Sequence, residues 1–326
     1  MDALPLGLGA QGDAVRDLQQ RLTATGFDPS VEPRGTFSTG TERAVRQFQQ
    51  QRGLLESGVC DLATWAALVE AGYHLGDRLL YLKSPMVRGD DVAELQRLLG
   101  TLGFDAGRVD GILGPHTERA LCDFQRNAGL TTDGVCGREV LLSLERLGQS
   151  PGRATNVAGV RERELLRSLP PILAGRRIVI GEAGGLDALV RAINRGLEEA
   201  GAIVAGLHHP HPSVQAVEAN DFQADLYVGL VLSDDPNCEA SYYATEGFES
   251  AGGRRLAELL TERFGRIPGV DTVSGRGRSL PILRETRMPA VVCAVGPPAV
   301  VVERTAEFAD AIHDALKQWC ASPLEP

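Results

Sequence analysis

Apolar residues recur at helical spacing through the first part of the chain. Val15, Leu18 and Leu22 follow one another at intervals of three and four residues, which places them in one stripe along a helix. The same spacing returns later in a second set, Val92, Leu95 and Leu99. Each set is followed by two shorter apolar stripes, and the Gly-rich stretches between them predict turns. The pattern therefore predicts two groups of three short helices.

The two groups are copies of one unit. Residues 12–19 recur in similar form 77 positions later as residues 89–96. Farther along, residues 41–44 recur as residues 117–120, so the offset falls to 76 and one residue has been gained or lost in a loop. Repetition over this length indicates a duplicated small domain.

The pattern changes after residues 148–160, a stretch rich in Gly, Pro, Ser and Asn that is typical of a linker. Beyond it, β-branched runs at 177–180 and 290–295 predict buried strands. Stretches of helical period at 187–200 and 301–319 lie between or after such runs. Strands that alternate with helices indicate a mostly parallel sheet covered by helices.

The predicted fold class is α/β, with two three-helix domains ahead of a larger α/β domain. The predicted segments are the first repeat at 1–75, the second at 76–147, a linker at 148–160 and the α/β domain at 161–326.

Composition and charge exclude several classes of protein. The 326 residues are 43% hydrophobic and 23% charged, which argues against a disordered or fibrous chain. The net charge of −10 is a poor match for nucleic acid or an anionic membrane. No window approaches the ~18 apolar residues of a membrane span. The first residues lack the features of a signal peptide, and the six cysteines are widely spaced, so we expect reduced thiols and a cytoplasmic protein.

The second helical repeat contains an ordered set of Asp-Gly, Phe-Gln and Asp-Gly motifs that includes Asp110, Gln125 and Asp133. It resembles the peptidoglycan-binding repeat of bacterial cell-wall enzymes. In the first repeat, Arg34 and Ser57 stand where that motif has Asp. The apolar and glycine positions are interpreted as core and turn residues, whereas Asp110, Gln125 and Asp133 are expected at the surface as candidate ligand contacts. The resemblance implies binding of peptidoglycan fragments or precursors.

The α/β part carries the string Leu-Arg-Glu-Thr-Arg-Met-Pro-Ala-Val at residues 283–291. This string, and the order of strands and helices over residues 176–319, resemble the zinc-dependent N-acetylmuramoyl-L-alanine amidases of bacterial walls. The resemblance implies a zinc ion held by His, Glu and His, with a separate glutamate that carries the proton.

Side chains that bind no metal occupy the family's site positions. Ala183 stands at the first His position, Val231 at the second His position and Ala294 at the catalytic Glu position. The loop that carries the family's Glu ligand is shortened ahead of Asp187. Alanine and valine have no atom that binds zinc or carries a proton. We therefore expect no catalytic residue, no cofactor and no zinc.

A competing metal site is conceivable at His208, His209 and His211, just beyond a predicted strand. Neighbouring residues on a loop interrupted by proline converge poorly on one tetrahedral centre, so a polar loop is the favoured interpretation. Four acidic residues are candidates to lie near these histidines in the fold: Glu218, Asp221, Asp234 and Asp235.

Two arginines, a short basic run and a cysteine are further candidates for function. Arg284 and Arg287 are candidates for a carboxylate or phosphate ligand, with an ion pair to Glu285 as the alternative. Residues 276–278, Arg-Gly-Arg, are interpreted as a solvated basic turn. Cys293 lies in a predicted buried strand and is interpreted as a small hydrophobic residue, not a nucleophile.

Three functions remain open. The architecture resembles the catalytically silent amidase homologue of mycobacteria and related actinobacteria, which implies a cytoplasmic regulator of peptidoglycan precursor synthesis. Its implied partners are UDP-N-acetylglucosamine enolpyruvyl transferase or a precursor-handling membrane protein. The alternative is an active zinc amidase with relocated ligands, which hydrolyses the bond between N-acetylmuramic acid and L-alanine. In a third interpretation, the remaining groove holds a muropeptide or nucleotide-sugar precursor without turnover.

Overall fold

The computed structural model divides into two compact units. It describes residues 4–29, 32–148, 157–245, 247–271 and 273–324. Unit 1 comprises Met1–Val160 with Glu246–Phe248, and unit 2 comprises Arg161–Thr245 with Glu249–Pro326. Most of the predicted linker, residues 149–156, lies outside the described residues. Within the described ranges, no helix combines the length and apolar character that crossing a membrane requires.

Unit 1 contains the two predicted three-helix repeats. The first has α1 (Asp13–Ala24), α2 (Thr39–Gln51) and α3 (Leu62–Glu70), and the second has α4 (Asp90–Thr101), α5 (Pro115–Asn127) and α6 (Arg138–Gly148). Both predicted stripes are buried: Val15, Leu18 and Leu22 in one core, and Val92, Leu95 and Leu99 in the other. The prediction of a duplicated helical domain is confirmed.

The duplication extends to the aromatic packing of each core. The rings of Phe27 and Phe48 meet edge to face at 5.7 Å, and those of Phe104 and Phe124 do so at 5.6 Å. Such a pair adds about 1 kcal/mol beyond the burial of its area. The same edge-to-face contact therefore stabilises both repeats.

Unit 2 is built on a mixed sheet, which has seven strands within the described residues. The strands are β1 (Arg177–Glu182), β2 (Ile203–His208), β3 (Leu226–Leu232), β4 (Cys238–Thr245), β5 (Phe248–Glu249), β6 (Val273–Arg278) and β7 (Ala290–Val295). Their order is β2-β1-β3-β7-β4-β5, and β6 pairs with β4. The pairs β1–β2, β1–β3, β3–β7 and β4–β6 are parallel, whereas β4–β7 is antiparallel. The predicted α/β class is confirmed, and the antiparallel β4–β7 pair makes the sheet mixed.

Helices cover both faces of this sheet. They are α7 (Val157–Ser168), α8 (Asp187–Glu199), α9 (Pro212–Asp221), α10 (Ala251–Phe264), α11 (Pro281–Glu285), α12 (Pro298–Glu303) and α13 (Thr305–Ala321). The main core joins Ile180 and Leu230 of the sheet to residues of α8, α10 and α13. On the opposite face, Gln215 of α9 hydrogen-bonds Tyr227 of β3.

The interpretation of residues 276–278 as a solvated turn is wrong, because these residues form part of β6. Arg278 is buried, and its guanidinium donates to both carboxylate oxygens of Glu239 at 2.5 and 2.9 Å. Glu239 lies 39 positions from Arg278 in the sequence, and the parallel pairing of β6 with β4 brings the two side chains together. The ion pair offsets the cost of burying the arginine.

Candidate functional site

The three positions that the resemblance assigns to the amidase site lie at the carboxyl ends of neighbouring strands. Ala183 directly follows β1, Val231 lies on β3 and Ala294 lies on β7. Val231 and Ala294 are partners in the β3–β7 register, and Val231 is 41% exposed. Ligands bind at this edge of an α/β sheet, so the structure brings the positions together where a site is expected. Their side chains are hydrocarbon.

A charged group lies beside this edge. Glu239 of β4 is the register partner of Ala294 and accepts hydrogen bonds from Arg278 and from Ser241 Oγ at 2.7 Å. Burial acts to raise the pKa of Glu239, but those hydrogen bonds and the charges of Arg278 and Arg276 outweigh it, so the net pKa lies below the ordinary value. A carboxylate held ionised in this way is unsuited to proton transfer at neutral pH.

The three predicted histidines do not converge on one centre. His208 ends β2 and faces Glu182 across the β1–β2 register, and its Nδ1 contacts Glu182 Oε1. His209 Nδ1 instead accepts from the backbone N–H of His211 at 3.0 Å. Within the described residues, the trio of possible ligands whose atoms lie within 4.8 Å of one another is Glu182, Asp187 and His208.

The predicted acidic neighbours Glu218, Asp221, Asp234 and Asp235 are not members of that trio. Sequence reasoning missed Glu182 and Asp187. The available signal was a strand ending in Gly181-Glu182 beside a second strand ending in His208.

Hydrogen bonds hold both the side chain and the carbonyl group of Glu182. The side chain is 2% exposed, and its Oε2 accepts from the N–H groups of Gly184 at 2.8 Å and Leu186 at 3.2 Å. Gln215 Nε2 donates to the carbonyl oxygen of Glu182 at 3.0 Å. The carboxylate therefore has a fixed position at the end of β1.

In the second repeat, the expectation that Gln125 lies at the surface is wrong, because its side chain is only 1% exposed. Its Nε2 donates to Asp133 Oδ1 at 2.7 Å, and its Oε1 accepts from the N–H of Gly134 at 2.9 Å. Hydrogen bonds from the N–H of Val135 and from Gln125 lower the pKa of Asp133, which is exposed. Asp110 is half-buried, and its Oδ1 accepts from Gln96 Nε2 at 2.8 Å. These residues hold turns together.

Four buried glutamines act in this way, two in each repeat. Each accepts a hydrogen bond from the N–H of a turn glycine with positive φ, in the pairs Gln19–Gly35, Gln49–Gly58, Gln96–Gly111 and Gln125–Gly134. The donor–acceptor distances are 2.8 to 2.9 Å. We call these contacts the glutamine locks. They explain why the Phe-Gln and Leu-Gln pairs recur along the sequence.

The remaining candidates lie near α11 and on β7. Arg284 belongs to α11, and the exposed Arg287 follows it. The backbone N–H of Arg287 donates to Asn220 Oδ1 at 2.9 Å, which ties this segment to α9. Cys293 is fully buried, and burial raises the pKa of its thiol. A thiol in that state is a poor nucleophile.

Comparison with known proteins accounts for both parts of the chain. Residues 11–68 and 88–144 match the family PG_binding_1, a peptidoglycan binding domain. These two segments coincide with the helical repeats. The resemblance proposed for the repeats is confirmed.

Among solved structures, an N-acetylmuramoyl-L-alanine amidase from Clostridium difficile 630 is 15% identical, with a TM-score of 0.39, over 45% of this chain and 98% of that chain. The amidase Ami1 from Mycobacterium smegmatis is 13% identical, also with a TM-score of 0.39, over 46% of this chain and 99% of that chain.

Curated relatives extend the match. N-acetylmuramoyl-L-alanine amidase CwlL of Bacillus licheniformis is 32% identical over 43% of this chain and 44% of that protein. N-acetylmuramoyl-L-alanine amidase CwlM of Mycobacterium tuberculosis is 35% identical over 336 aligned residues, which cover 90% of this chain and 82% of that protein. With peptidoglycan-binding repeats ahead of an amidase-like α/β domain, the chain belongs to the cell-wall-associated N-acetylmuramoyl-L-alanine amidase family that includes CwlM.

Proposed function

We propose that this chain is a non-catalytic cell-wall protein that regulates peptidoglycan precursor synthesis by binding, not by hydrolysis. The observation that carries the proposal is the hydrocarbon character of Ala183, Val231 and Ala294 at the carboxyl edge of β1, β3 and β7. Amidase chemistry needs three zinc ligands and a proton carrier at such an edge. These three side chains supply neither function.

The surroundings of that edge support the same proposal. Glu239, the carboxylate beside Ala294, is engaged by Arg278 and Ser241. A general base has to be within reach of water and able to accept a proton near neutral pH. With its pKa lowered, Glu239 does not replace the family's catalytic glutamate.

The proposed ligands follow from the two parts of the chain. The helical repeats take peptidoglycan fragments or precursors, and the amidase-like domain offers its unreactive edge to a muropeptide or a protein. UDP-N-acetylglucosamine enolpyruvyl transferase and a precursor-handling membrane protein are the proposed protein partners. Both fit a cytoplasmic location, where the precursors are made.

A paired measurement of cleavage and binding tests this function. Purified chain is incubated with a muropeptide that contains the N-acetylmuramoyl–L-alanine bond, with added zinc, and free L-alanine amino termini are quantified beside an active zinc amidase. We expect no release, together with a calorimetric binding signal for the muropeptide or capture of a precursor-synthesis protein from cytoplasmic extract. Zinc-dependent release removed by a chelator would overturn the proposal.

One observation favours a second candidate function. The trio Glu182, Asp187 and His208 is a possible relocated ligand set, so an active zinc amidase is the alternative. In that case His208→Gln abolishes amino-terminus release, whereas under the main proposal there is no release to abolish. The cleavage assay separates the two candidates.

A further inference from the structure

Three side chains from separate elements meet at one end of the sheet in unit 2. Glu182 closes β1, His208 closes β2, and Asp187 is the first residue of α8. Glu182 and His208 are direct partners in the parallel register, and His208 Nδ1 lies 3.7 Å from Asp187 Oδ1. The sheet and the helix start therefore fix this juxtaposition, although the residues are up to 26 positions apart in sequence.

We propose that Glu182, Asp187 and His208 bind one divalent first-row transition-metal ion. One imidazole nitrogen and two carboxylate oxygens form a donor set that suits Zn²⁺, Mn²⁺ or Co²⁺, whereas Ca²⁺ and Mg²⁺ favour oxygen ligands throughout. Two atoms 3.7 Å apart, each about 2.1 Å from a shared ion, subtend an angle near ~120° at that ion. The spacing of His208 and Asp187 is thus compatible with a common ion.

The buried carboxylate of Glu182 is already oriented to bind a metal ion. Oε2 of Glu182 is held by the N–H groups of Gly184 and Leu186, which leaves Oε1 facing His208 and Asp187. Hydrogen bonds to the outer atom of a ligand orient it and raise metal affinity. The Glu182 ligand therefore needs no rearrangement.

The other two ligands face solvent. The side chains of Asp187 and His208 are each 60% exposed, so an ion has an entry path and water fills its remaining positions. His208 contacts Glu182 directly, and its imidazole has to turn outward to admit the ion. Its exposed side leaves room for that movement.

Charge also favours a cation at this place. With a neutral imidazole, the trio carries two carboxylate charges and no positive charge of its own. A divalent ion neutralises both carboxylates. The competing explanation is a hydrogen-bonded Glu–His–Asp group without metal, and it makes the opposite prediction for metal binding.

The side chains of this trio lie on a different face of the sheet from those of Val231 and Ala294. Glu182 is the register partner of Leu230, which belongs to the core beneath α8. Val231 is the next residue of β3 and points to the other face, because side chains alternate along a strand. The metal site is therefore separate from the Val231–Ala294 edge. Metal binding without release of L-alanine amino termini is compatible with the proposed non-catalytic function, whereas metal binding with release would favour the zinc-amidase alternative.

Cobalt titration of the full chain tests the site. Co²⁺ is added to metal-free protein and its visible d–d absorption is followed, with Zn²⁺ as competitor. We expect one equivalent to bind, and expect His208→Gln and Asp187→Asn to weaken binding by at least about tenfold. His209→Gln is the matched control, because it removes the adjacent imidazole, and it leaves the affinity unchanged.

The same variants make the outcome decisive. Melting curves in a chelator check that each variant folds; Asp187 is exposed, so Asp187→Asn keeps the metal-free melting temperature. Zn²⁺ raises the melting temperature of the wild type and of His209→Gln, and raises that of Asp187→Asn and His208→Gln less. Failure of the wild type to bind Co²⁺ or Zn²⁺ overturns the proposal in favour of a metal-free hydrogen-bonded group. Equal weakening by His209→Gln overturns it in favour of the histidine loop.

Discussion

Gln49 and Gly58 are joined across a turn of the first repeat: the N–H of Gly58 donates to Gln49 Oε1 at 2.9 Å. Both residues are buried. Gln49 Nε2 also donates to the carbonyl oxygen of Val59 at 2.9 Å and to Thr64 Oγ1 at 3.0 Å. One side chain therefore satisfies the buried N–H of Gly58 and two oxygen acceptors.

Gln49→Ala is expected to lower the free energy of unfolding of unit 1 by about 2 kcal/mol, because it leaves the Gly58 N–H buried without a partner. Urea unfolding followed by the fluorescence of Trp65 measures the change. Gln50→Ala is the matched control, since Gln50 is exposed on the same helix, and it changes the value by less than about 0.5 kcal/mol. Equal losses in the two variants would show that the lock contributes nothing.

The ion pair between Glu239 and Arg278 predicts a pH dependence of stability. The pKa of Glu239 is lowered from 4.5 in the folded chain, so its stabilising contribution is present in full above that pH. This contribution falls as the pH drops through the folded pKa, because the unfolded state takes up a proton first. At neutral pH, Glu239→Gln is expected to cost about 2 kcal/mol.

The measurement is urea unfolding of unit 2, followed by Trp319 in a Trp65→Phe background, from pH 7 to about pH 3. The gap between wild type and Glu239→Gln is expected to stay constant above pH 4.5 and to narrow below it. Glu262→Gln serves as control, since its partner Arg266 is 72% exposed and exposed pairs contribute little. A gap that is unchanged in acid would contradict the assigned pKa direction.

Gly181 predicts a steric effect. A methyl group at this position would overlap Gln215 Oε1 and Tyr227 Oη, which lie against its backbone. Gly181→Ala is therefore expected to lower the free energy of unfolding of unit 2 by about 2 kcal/mol. Gly196→Ala, within α8, meets no atom within 4 Å and is expected to raise it by about 0.5–1 kcal/mol. Thermal unfolding of both variants checks the opposite signs.

The cysteines predict selective thiol chemistry. All six are free, and Cys122 alone among them is not buried. Burial raises the pKa of Cys60 to about 12 and that of Cys136 to about 12, and the thiolate is the reactive form. A disulfide reagent is expected to modify one thiol per native chain and six after denaturation. Cys122→Ser should remove the native reaction; persistent labelling of that variant would place another thiol at the surface.

Local periodicity was sufficient to predict the helical repeats, because Val15, Leu18 and Leu22 carry the signal for their own burial. It was not sufficient for β6. Val-Ser-Gly-Arg-Gly-Arg has no apolar alternation, and this segment becomes a strand because β4 supplies both its hydrogen bonds and the partner of Arg278. The pairing of Arg278 with Glu239 forms only in the folded sheet, so local sequence does not predict it.

The candidate sites likewise include residues that the sequence predicts and residues that it does not. Correspondence with a family motif assigns Val231 and Ala294 to one predicted site, and the register makes them partners. The trio at Glu182 was missed because sequence spacing does not specify which residues of two parallel strands stand side by side. Gln125 was placed at the surface because amides usually lie there; its burial depends on a turn glycine nine positions away.

The glutamine locks have an evolutionary consequence. Each lock includes the main-chain N–H of a turn glycine, which is present whatever side chain precedes it. Asp110, Asp133 and Ser57 add a further hydrogen bond to the locking glutamine. Asp110 and Asp133 stand before these glycines in the second repeat, and Arg34 and Ser57 stand there in the first. Selection is therefore free to exchange the chemistry displayed on these turns while the scaffold stays intact, which lets duplicated modules acquire new specificities.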